Sequence, residues 1–481
     1  MPEFDYDLLV IGSGPAGQRA AIQACKLDKR VAVVEKKSVV GGVSINTGTI
    51  PSKTLREAIV DLAGLRERSF YGASYTVKQH ITIDDLMQRT DLVIQHEIDV
   101  TRNQLARNQV DVIAALASFV DPHTIKLESA DKGQRLVTTR YAVLATGSEP
   151  TMDEHIPFDH KRIITSDDIL HLDVLPRTLT VIGAGVIGLE YASMFAALGV
   201  RVTIIDKRPR LLNFVDAEIA DTLAYHLREN RVTLRLGEEV KDVEPVRDEH
   251  GDRVRIHLVS GKQVVTDKAL YSIGRTGATS KLNLDAAGVQ QDERCRIKVN
   301  EFYQTNIPHI YAVGDLIGFP SLASTSMEQG RLAAAHAFGY PAKSFPELFP
   351  YGIYTIPEIS MVGKTEEELT HAEVPYEVGK ARYREIARGQ IVGDTTGLLK
   401  LIFHAHTREL LGVHIIGEGA AELVHIGQAV LAFGGKVDYF VNAVFNYPTL
   451  AECYKTAAFD GINRTCLPDE PLKVPAAGPT V

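Results

Sequence analysis

Apolar residues along this chain fall in short dense runs set between turn-forming residues. Leu8-Leu9-Val10-Ile11 is one such run and Val31-Ala32-Val33-Val34 is another. Four-residue runs of this kind predict strands buried on both faces of a parallel sheet. Between them, Ala20-Ala21-Ile22-Gln23-Ala24 reads as a helix. The order strand, turn, helix, strand recurs at Leu179-Thr180-Val181-Ile182, a helical stretch through Leu198, and Val202-Thr203-Ile204-Ile205. Two further pieces belong to the same style of sheet. Val143-Leu144-Ala145-Thr146-Gly147 predicts a strand ending in a small-residue turn. Ile310-Tyr311-Ala312-Val313-Gly314-Asp315 predicts a strand that delivers a carboxylate, before the helix-prone Met327–Ala335. The pattern is that of an α/β protein with two Rossmann-like units.

The turns carry the candidate chemistry. The first strand runs into Gly12-Ser13-Gly14-Pro15-Ala16-Gly17 and the later one into Gly183-Ala184-Gly185-Val186-Ile187-Gly188. Gly12, Gly14 and Gly17, and likewise Gly183, Gly185 and Gly188, let the turn close and the backbone approach a pyrophosphate at a helix N-terminus. The following strands end in Glu35 and Asp206, each 23 positions after the first glycine and each placed to accept hydrogen bonds from a ribose hydroxyl. One glycine motif alone is weak evidence, since glycines open many ordinary turns; two copies with matching strands, helices and terminal acids are strong. Lys207, Arg208 and Arg210 adjoin Asp206. The acid favours a 2'-hydroxyl and the bases a 2'-phosphate, a mixture suited to a site that accepts both NAD and NADP.

A chain of 481 residues is too long for one core and predicts several domains. Hydrophobic content of 45% and charged content of 23% are ordinary for a folded globular protein. The net charge of -9, with no long basic run, argues against nucleic acid as a partner. No segment approaches the roughly 20 apolar residues of a membrane helix, and the acidic opening residues are unlike a signal peptide, so a cytoplasmic location is expected. Cys25, Cys295, Cys453 and Cys466 are scattered, with no zinc-ligand or CxxC spacing. His404 and His406 alternate on an expected strand, but no third ligand is evident and no metal site is assigned.

With these motifs in view, the chain resembles the pyridine nucleotide-disulfide oxidoreductase family from about Asp5 to Cys466. The resemblance implies FAD at Gly12, Gly14, Gly17, Glu35, Gly147 and Asp315, and NAD(H) or NADP(H) at Gly183, Gly185, Gly188, Asp206, Lys207, Arg208 and Gly274. It implies that Lys53 lies near the flavin and pairs with Glu190. It further implies an FAD-binding domain of residues 1–150 and 271–345, an NAD(P)-binding domain of 151–270, and an α+β dimerisation domain of 346–466, with 467–481 a flexible tail. A homodimer or larger homo-oligomer is therefore expected.

The departures from the family pattern are as informative as the matches. In Gly41–Lys53, Ser44 and Thr49 stand where the disulfide reductases carry their two redox cysteines. Hydroxyls cannot relay electrons by thiol exchange. Near the C-terminus Tyr447 stands where the thiol-handling relatives have histidine, with Glu452 retained. Tyrosine, with an ordinary pKa of about 10, is a poor base at neutral pH. The resemblance, with its thiols absent, implies hydride exchange between two nicotinamide dinucleotides through FAD, of the Si type, with Lys53, Glu190 and Thr49 as the residues closest to the chemistry. The alternatives are a diaphorase, oxidase or quinone reductase of the same fold, and a sensor without catalysis, which the intact second dinucleotide unit disfavours.

Overall fold

The computed structural model describes residues 3–465 except 73, 74, 76, 132, 250 and 342–347. The expected tail at 467–481 lies outside the described residues, as does Cys466. The chain forms two compact units: Met1–Leu65, Thr76–Arg210 and Asn230–Pro346 make the first, and Arg66–Tyr75, Leu211–Glu229 and Glu347–Val481 the second.

The first unit contains both predicted repeats. Strand β1 (Tyr6–Ile11) leads through the first glycine turn into helix α1 (Pro15–Cys25), and β2 (Val31–Glu35) follows. Helix α2 (Thr49–Leu62) comes next, and then the long strand β3 (Gly133–Leu144). The second repeat is β4 (Thr178–Ile182), α3 (Val186–Ala197), β5 (Arg201–Asp206) and, later, β6 (Lys268–Tyr271). Strand β7 (Ile310–Ala312) and helix α4 (Ala323–Ala337) return the chain to the first sheet.

In the first sheet β1 lies between β2 and β3, all parallel, and β7 pairs parallel with β3. Alternation along β1 explains its burial. Leu8 and Val10 face a core that includes Val33, Ile98 and Leu105. Leu9 and Ile11 face the opposite core, with Val34, Phe119 and Ile125. Each such side chain, once buried, contributes about 1.5–3 kcal/mol, which is why the four buried positions of the strand, Leu8–Ile11, are all apolar. Pro15 opens α1, where its missing N–H costs no helical hydrogen bond. Helix α4 crosses α1 so closely that a Cβ at Gly330 would stand 2.0 Å from the Ala16 carbonyl oxygen. The second sheet repeats the arrangement, with β4 between β5 and β6 in parallel register. In both sheets the strand C-termini share one edge, where α/β proteins place their ligands.

The second unit is built on a five-stranded antiparallel sheet in the order Tyr351–Ile353, Ile359–Gly363, Leu410–Ile416, Leu398–His404, Tyr376–Arg382. Leu399, Leu401, Phe403, Val413 and Ile415 form its core with Val424 and Tyr454, which come from helices Ala420–Ala432 and Glu452–Thr465. The helix Ala217–Glu229, which falls within the expected NAD(P)-binding range of 151–270, groups with this unit by its contacts.

Candidate functional site

The first glycine turn is shaped by two close approaches. Gly12 has φ of +107°, and a Cβ there would lie 2.3 Å from the Ala145 carbonyl oxygen at the end of β3. A Cβ at Gly17 would lie 1.9 Å from the Gly12 oxygen, so only glycine lets α1 start this near the strand. Gly14 is different, because nothing lies within 4 Å of a Cβ built on it. It faces a cavity also lined by Glu35, Thr49, Gly147 and Asp315. The opening amides of α1 have no side-chain cap, so the turn presents hydrogen-bond donors and a partial positive charge to that cavity.

Glu35 is buried at the tip of β2 and accepts from the Ser13 amide (3.1 Å), the Ser13 hydroxyl (2.7 Å) and the Lys37 amide (3.1 Å). With three bonds accepted, a carboxylate of about four acceptor sites has one left open. Asp315 is expected at the end of its strand, but β7 stops at Ala312 and a 3-10 turn, Gly314–Ile317, carries the aspartate into the cavity wall. Its carboxylate accepts from the Ser148 hydroxyl at 3.1 Å. Ser148 is held in turn by Arg275, whose Nε donates to the hydroxyl (2.8 Å) and Nη2 to the carbonyl (2.7 Å). The sequence motifs give no sign of Ser148 or Arg275. Thr146, another residue that they pass over, lines the cavity with a buried hydroxyl that has no hydrogen-bond partner. An orphaned hydroxyl, open backbone at Gly14 and an anchored acid fit an extended phosphate-bearing ligand.

The second turn repeats this geometry. Gly183 has φ of +107°, its Cβ would meet the Ser272 carbonyl oxygen at 2.5 Å, and a Cβ at Gly188 would meet the Gly183 oxygen at 2.1 Å. Gly185 is open, as Gly14 is. Gly274 follows β6 two residues after Ser272, as Gly147 follows β3 two residues after Ala145. Asp206 is buried at the end of β5 and accepts from the Ala184 amide at 2.6 Å. Arg208 folds back on it, with Nε at 2.9 Å and Nη2 at 2.6 Å. Burial opposes ionisation of Asp206, but the hydrogen bonds and charge of Arg208 hold its carboxyl below the usual range. Lys207 and Arg210 are exposed.

Lys53 and Glu190 join the two repeats. Lys53 lies one helical turn after Thr49 in α2, and its Nζ donates to both Glu190 oxygens, at 3.0 and 2.8 Å. Glu190 belongs to α3, which is apolar on nearly every face, and it is 3% exposed. Ser44, in the short helix Gly42–Asn46, and Thr49, first residue of α2, both line the cavity.

The comparison with protein families decides what this arrangement belongs to. Residues 6–330 match the pyridine nucleotide-disulphide oxidoreductase model, and residues 349–458 match the dimerisation domain of the same name. The chain belongs to the pyridine nucleotide-disulphide oxidoreductase family. It is 54% identical to a protein of Mycobacterium bovis (strain BCG / Pasteur 1173P2) named soluble pyridine nucleotide transhydrogenase, over 96% of this chain and 98% of that one. A protein of the same name from Colwellia psychrerythraea is 45% identical, over 96% and 99%. Among solved structures, the HOCl-induced flavoprotein disulfide reductase RclA from Escherichia coli matches with a TM-score of 0.84 and 27% identity, over 94% of this chain and 99% of that one. LpdA from Mycobacterium tuberculosis matches with a TM-score of 0.85 and 27% identity, over the same shares.

Against this family the missing thiols stand out. No cysteine lines the cavity among the described residues. Cys25 lies in a separate cleft with Asp111, and burial and that carboxylate push its thiol up to about 11. Cys453 is fully buried in the second unit, where desolvation and Glu452 push it up to about 12. Neither is a nucleophile at neutral pH. Tyr447 is 74% exposed, and Glu452 carries a buried oxygen without a partner. His406 is not on the strand, which ends at His404; the His404 Nδ1 is taken up by the His406 and Thr407 amides. Asp216, Glu218 and Glu366 could chelate a cation, but the ammonium of buried Lys400 already lies among them, at 2.9 Å from Asp216 and 3.3 Å from Glu218. No helix among the described residues is long and apolar enough to cross a membrane.

Proposed function

We propose that the protein is an FAD-dependent oxidoreductase of the Si type that passes hydride between NADPH and NAD+, giving NADP+ and NADH. The observation that carries this reading is the presence of hydroxyls, Ser44 and Thr49, in the cavity wall, in a chain that also holds an intact second glycine turn. The names of the relatives at 54% and 45% identity support it. FAD in the first unit's cavity supplies the two-electron carrier. Gly14 and the α1 amides would hold its pyrophosphate, Glu35 its adenosine ribose, and Asp315 and Thr146 the stretch toward the ring. Gly185 and the α3 amides would hold the pyrophosphate of either coenzyme, with Asp206, Lys207 and Arg208 at the adenosine ribose and Gly274 alongside.

Lys53 contributes a fixed positive charge next to Thr49, and Glu190 holds it in place. A positive charge there favours negative charge on a reduced ring. No side chain has to move a proton, because exchange of hydride between two nicotinamides neither releases nor consumes one. The chain's task is to orient and desolvate. The second unit is proposed to pair with a second copy of the chain, which would cover the exposed Phe433 and Val444.

The test is anaerobic stopped-flow mixing of the yellow protein with NADPH, followed by NAD+, while flavin absorbance and NADH are recorded. Bleaching, recovery and stoichiometric NADH are expected. Bleaching that recovers only when a quinone or oxygen is added would overturn the proposal in favour of a diaphorase or oxidase.

A further inference from the structure

The two dinucleotide turns of this chain provide an internal comparison. Glu35 and Asp206 occupy the same position after their strands, and each accepts from an amide of its glycine turn, Ser13 or Ala184. Each also accepts from the amide two residues on, Lys37 or Arg208. They differ in the remaining bonds. Glu35 accepts one more, from the Ser13 hydroxyl, and one of its roughly four lone-pair sites stays open. Asp206 accepts two more, from Nε and Nη2 of Arg208, and is filled. A ribose diol can therefore reach Glu35 directly, whereas at Asp206 it meets a carboxylate whose acceptors are all in use.

We propose that Arg208 is a movable latch on Asp206 that sets how this one site takes both coenzymes. The inference rests on the reading of the second turn as the coenzyme site. When the adenosine ribose carries a 2'-hydroxyl, the hydroxyls replace Arg208 on the carboxylate and the guanidinium turns out to water. When it carries a 2'-phosphate, the guanidinium turns to the phosphate and stands between it and Asp206. Two features make the movement inexpensive. The Arg208 side chain is 39% exposed while that of Asp206 is 5% exposed, so the arginine is the member free to move. The guanidinium is already partly in water, which takes over the hydrogen bonds it gives up, while the ligand's hydroxyls take its place on the carboxylate. In either complex the buried acid keeps a partner, and the two coenzymes compete for opposite positions of one side chain.

A fixed phosphate-binding arginine and a latch predict different signs. If Arg208 only binds phosphate, Arg208→Ala weakens NADP and leaves NAD unchanged. If it is a latch, the substitution also opens Asp206, and NAD binds more tightly. The experiment is isothermal titration of the FAD-loaded protein with ADP-ribose and with 2'-phospho-ADP-ribose, which carry the ribose without the nicotinamide. For Arg208→Ala the expected result is roughly threefold to tenfold tighter ADP-ribose, and 2'-phospho-ADP-ribose weaker by about tenfold or more, the range of charge-assisted hydrogen bonds released or lost. Asp206→Asn should move both ligands the other way, because it frees the guanidinium and removes the acceptor of the diol. Unchanged ADP-ribose affinity in Arg208→Ala overturns the latch and leaves the coenzyme site standing. Failure of the wild-type protein to bind either ligand overturns both.

Discussion

Removing the ammonium of Lys53 and removing the carboxylate of Glu190 should not be equivalent, although both break the same ion pair. The Glu190 side chain is 4% exposed and that of Lys53 is 26% exposed. Lys53→Met leaves a charged carboxylate in an apolar helix without its counter-ion. Breaking a buried pair in this way costs about 3–5 kcal/mol, and the partial exposure of Lys53 brings the expected value to about 2–3 kcal/mol. Glu190→Gln keeps an oxygen that still accepts, and leaves an ammonium that water reaches, so about 1 kcal/mol is expected. The difference of 1–2 kcal/mol corresponds to a factor of about 5–30 in an equilibrium constant. Urea titration followed by far-UV circular dichroism and by release of flavin fluorescence would rank the variants by midpoint, without assuming one two-state transition in a chain of two units. The rate of flavin reduction by NADPH provides a second readout. Lys53→Met should slow it by about tenfold, and Lys53→Arg should restore most of it, if the charge acts on the ring. A Glu190→Gln protein as unstable as Lys53→Met would refute the burial argument. An unchanged reduction rate in Lys53→Met would show that the pair serves only to hold α2 to α3.

Two further outcomes follow from the geometry of the turns and of the second unit. Gly185→Ala meets nothing within 4 Å at an ordinary φ of -82°, so its melting temperature should match wild type while coenzyme affinity falls; Gly188→Ala meets the Gly183 oxygen at 2.1 Å and should destabilise by about 1–3 kcal/mol, and the reverse ranking in thermal melts would contradict the close-approach account. In the second unit desolvation opposes ionisation of Asp216 and Glu218, but the charges of His414 and Lys400 hold Asp216 below its ordinary value, the ammoniums of Lys380 and Lys400 hold Glu218 below its own, and the carboxylates hold Lys400 above its ordinary value. Lowered carboxyl values give stability that is present above about pH 4 and lost on acidification; the raised lysine gives stability present below about pH 10.5 and lost in alkali. Urea midpoints should therefore fall at both extremes, and Lys400→Met should be less stable at pH 7 and show a shallower acid-side slope, with His414 and Lys380 still acting on Asp216 and Glu218. A Lys400→Met protein that keeps the wild-type acid slope would place the titration elsewhere.

Much of the paired strand, glycine-turn and helix framework was legible in the sequence because it is local. A parallel strand buried on both faces must be an apolar run, the glycine turn must follow it at once, and the acid must end the next strand; β1, α1, β2 and their counterparts β4, α3, β5 are encoded within about 30 residues each. The loss of thiols was equally plain, since it needs only residue identities at positions 44 and 49 once the resemblance is made. Contacts between distant segments were not legible by pattern. Lys53 and Glu190 are 137 positions apart, and only the family resemblance suggested their meeting. Ser148 bridges Arg275 and Asp315 across 127 and 167 positions, and nothing in its neighbourhood marks it. Nothing beside Lys400 in Leu398–His404 marks it as a core residue; the fold buries it completely, and Asp216, 184 positions away at the start of the helix Ala217–Glu229, pairs with it. Arg208 has the same lesson at short range. Sequence places a base beside an acid, but whether it points to a ligand or back to Asp206 depends on which lone pairs the folded turn has left unfilled.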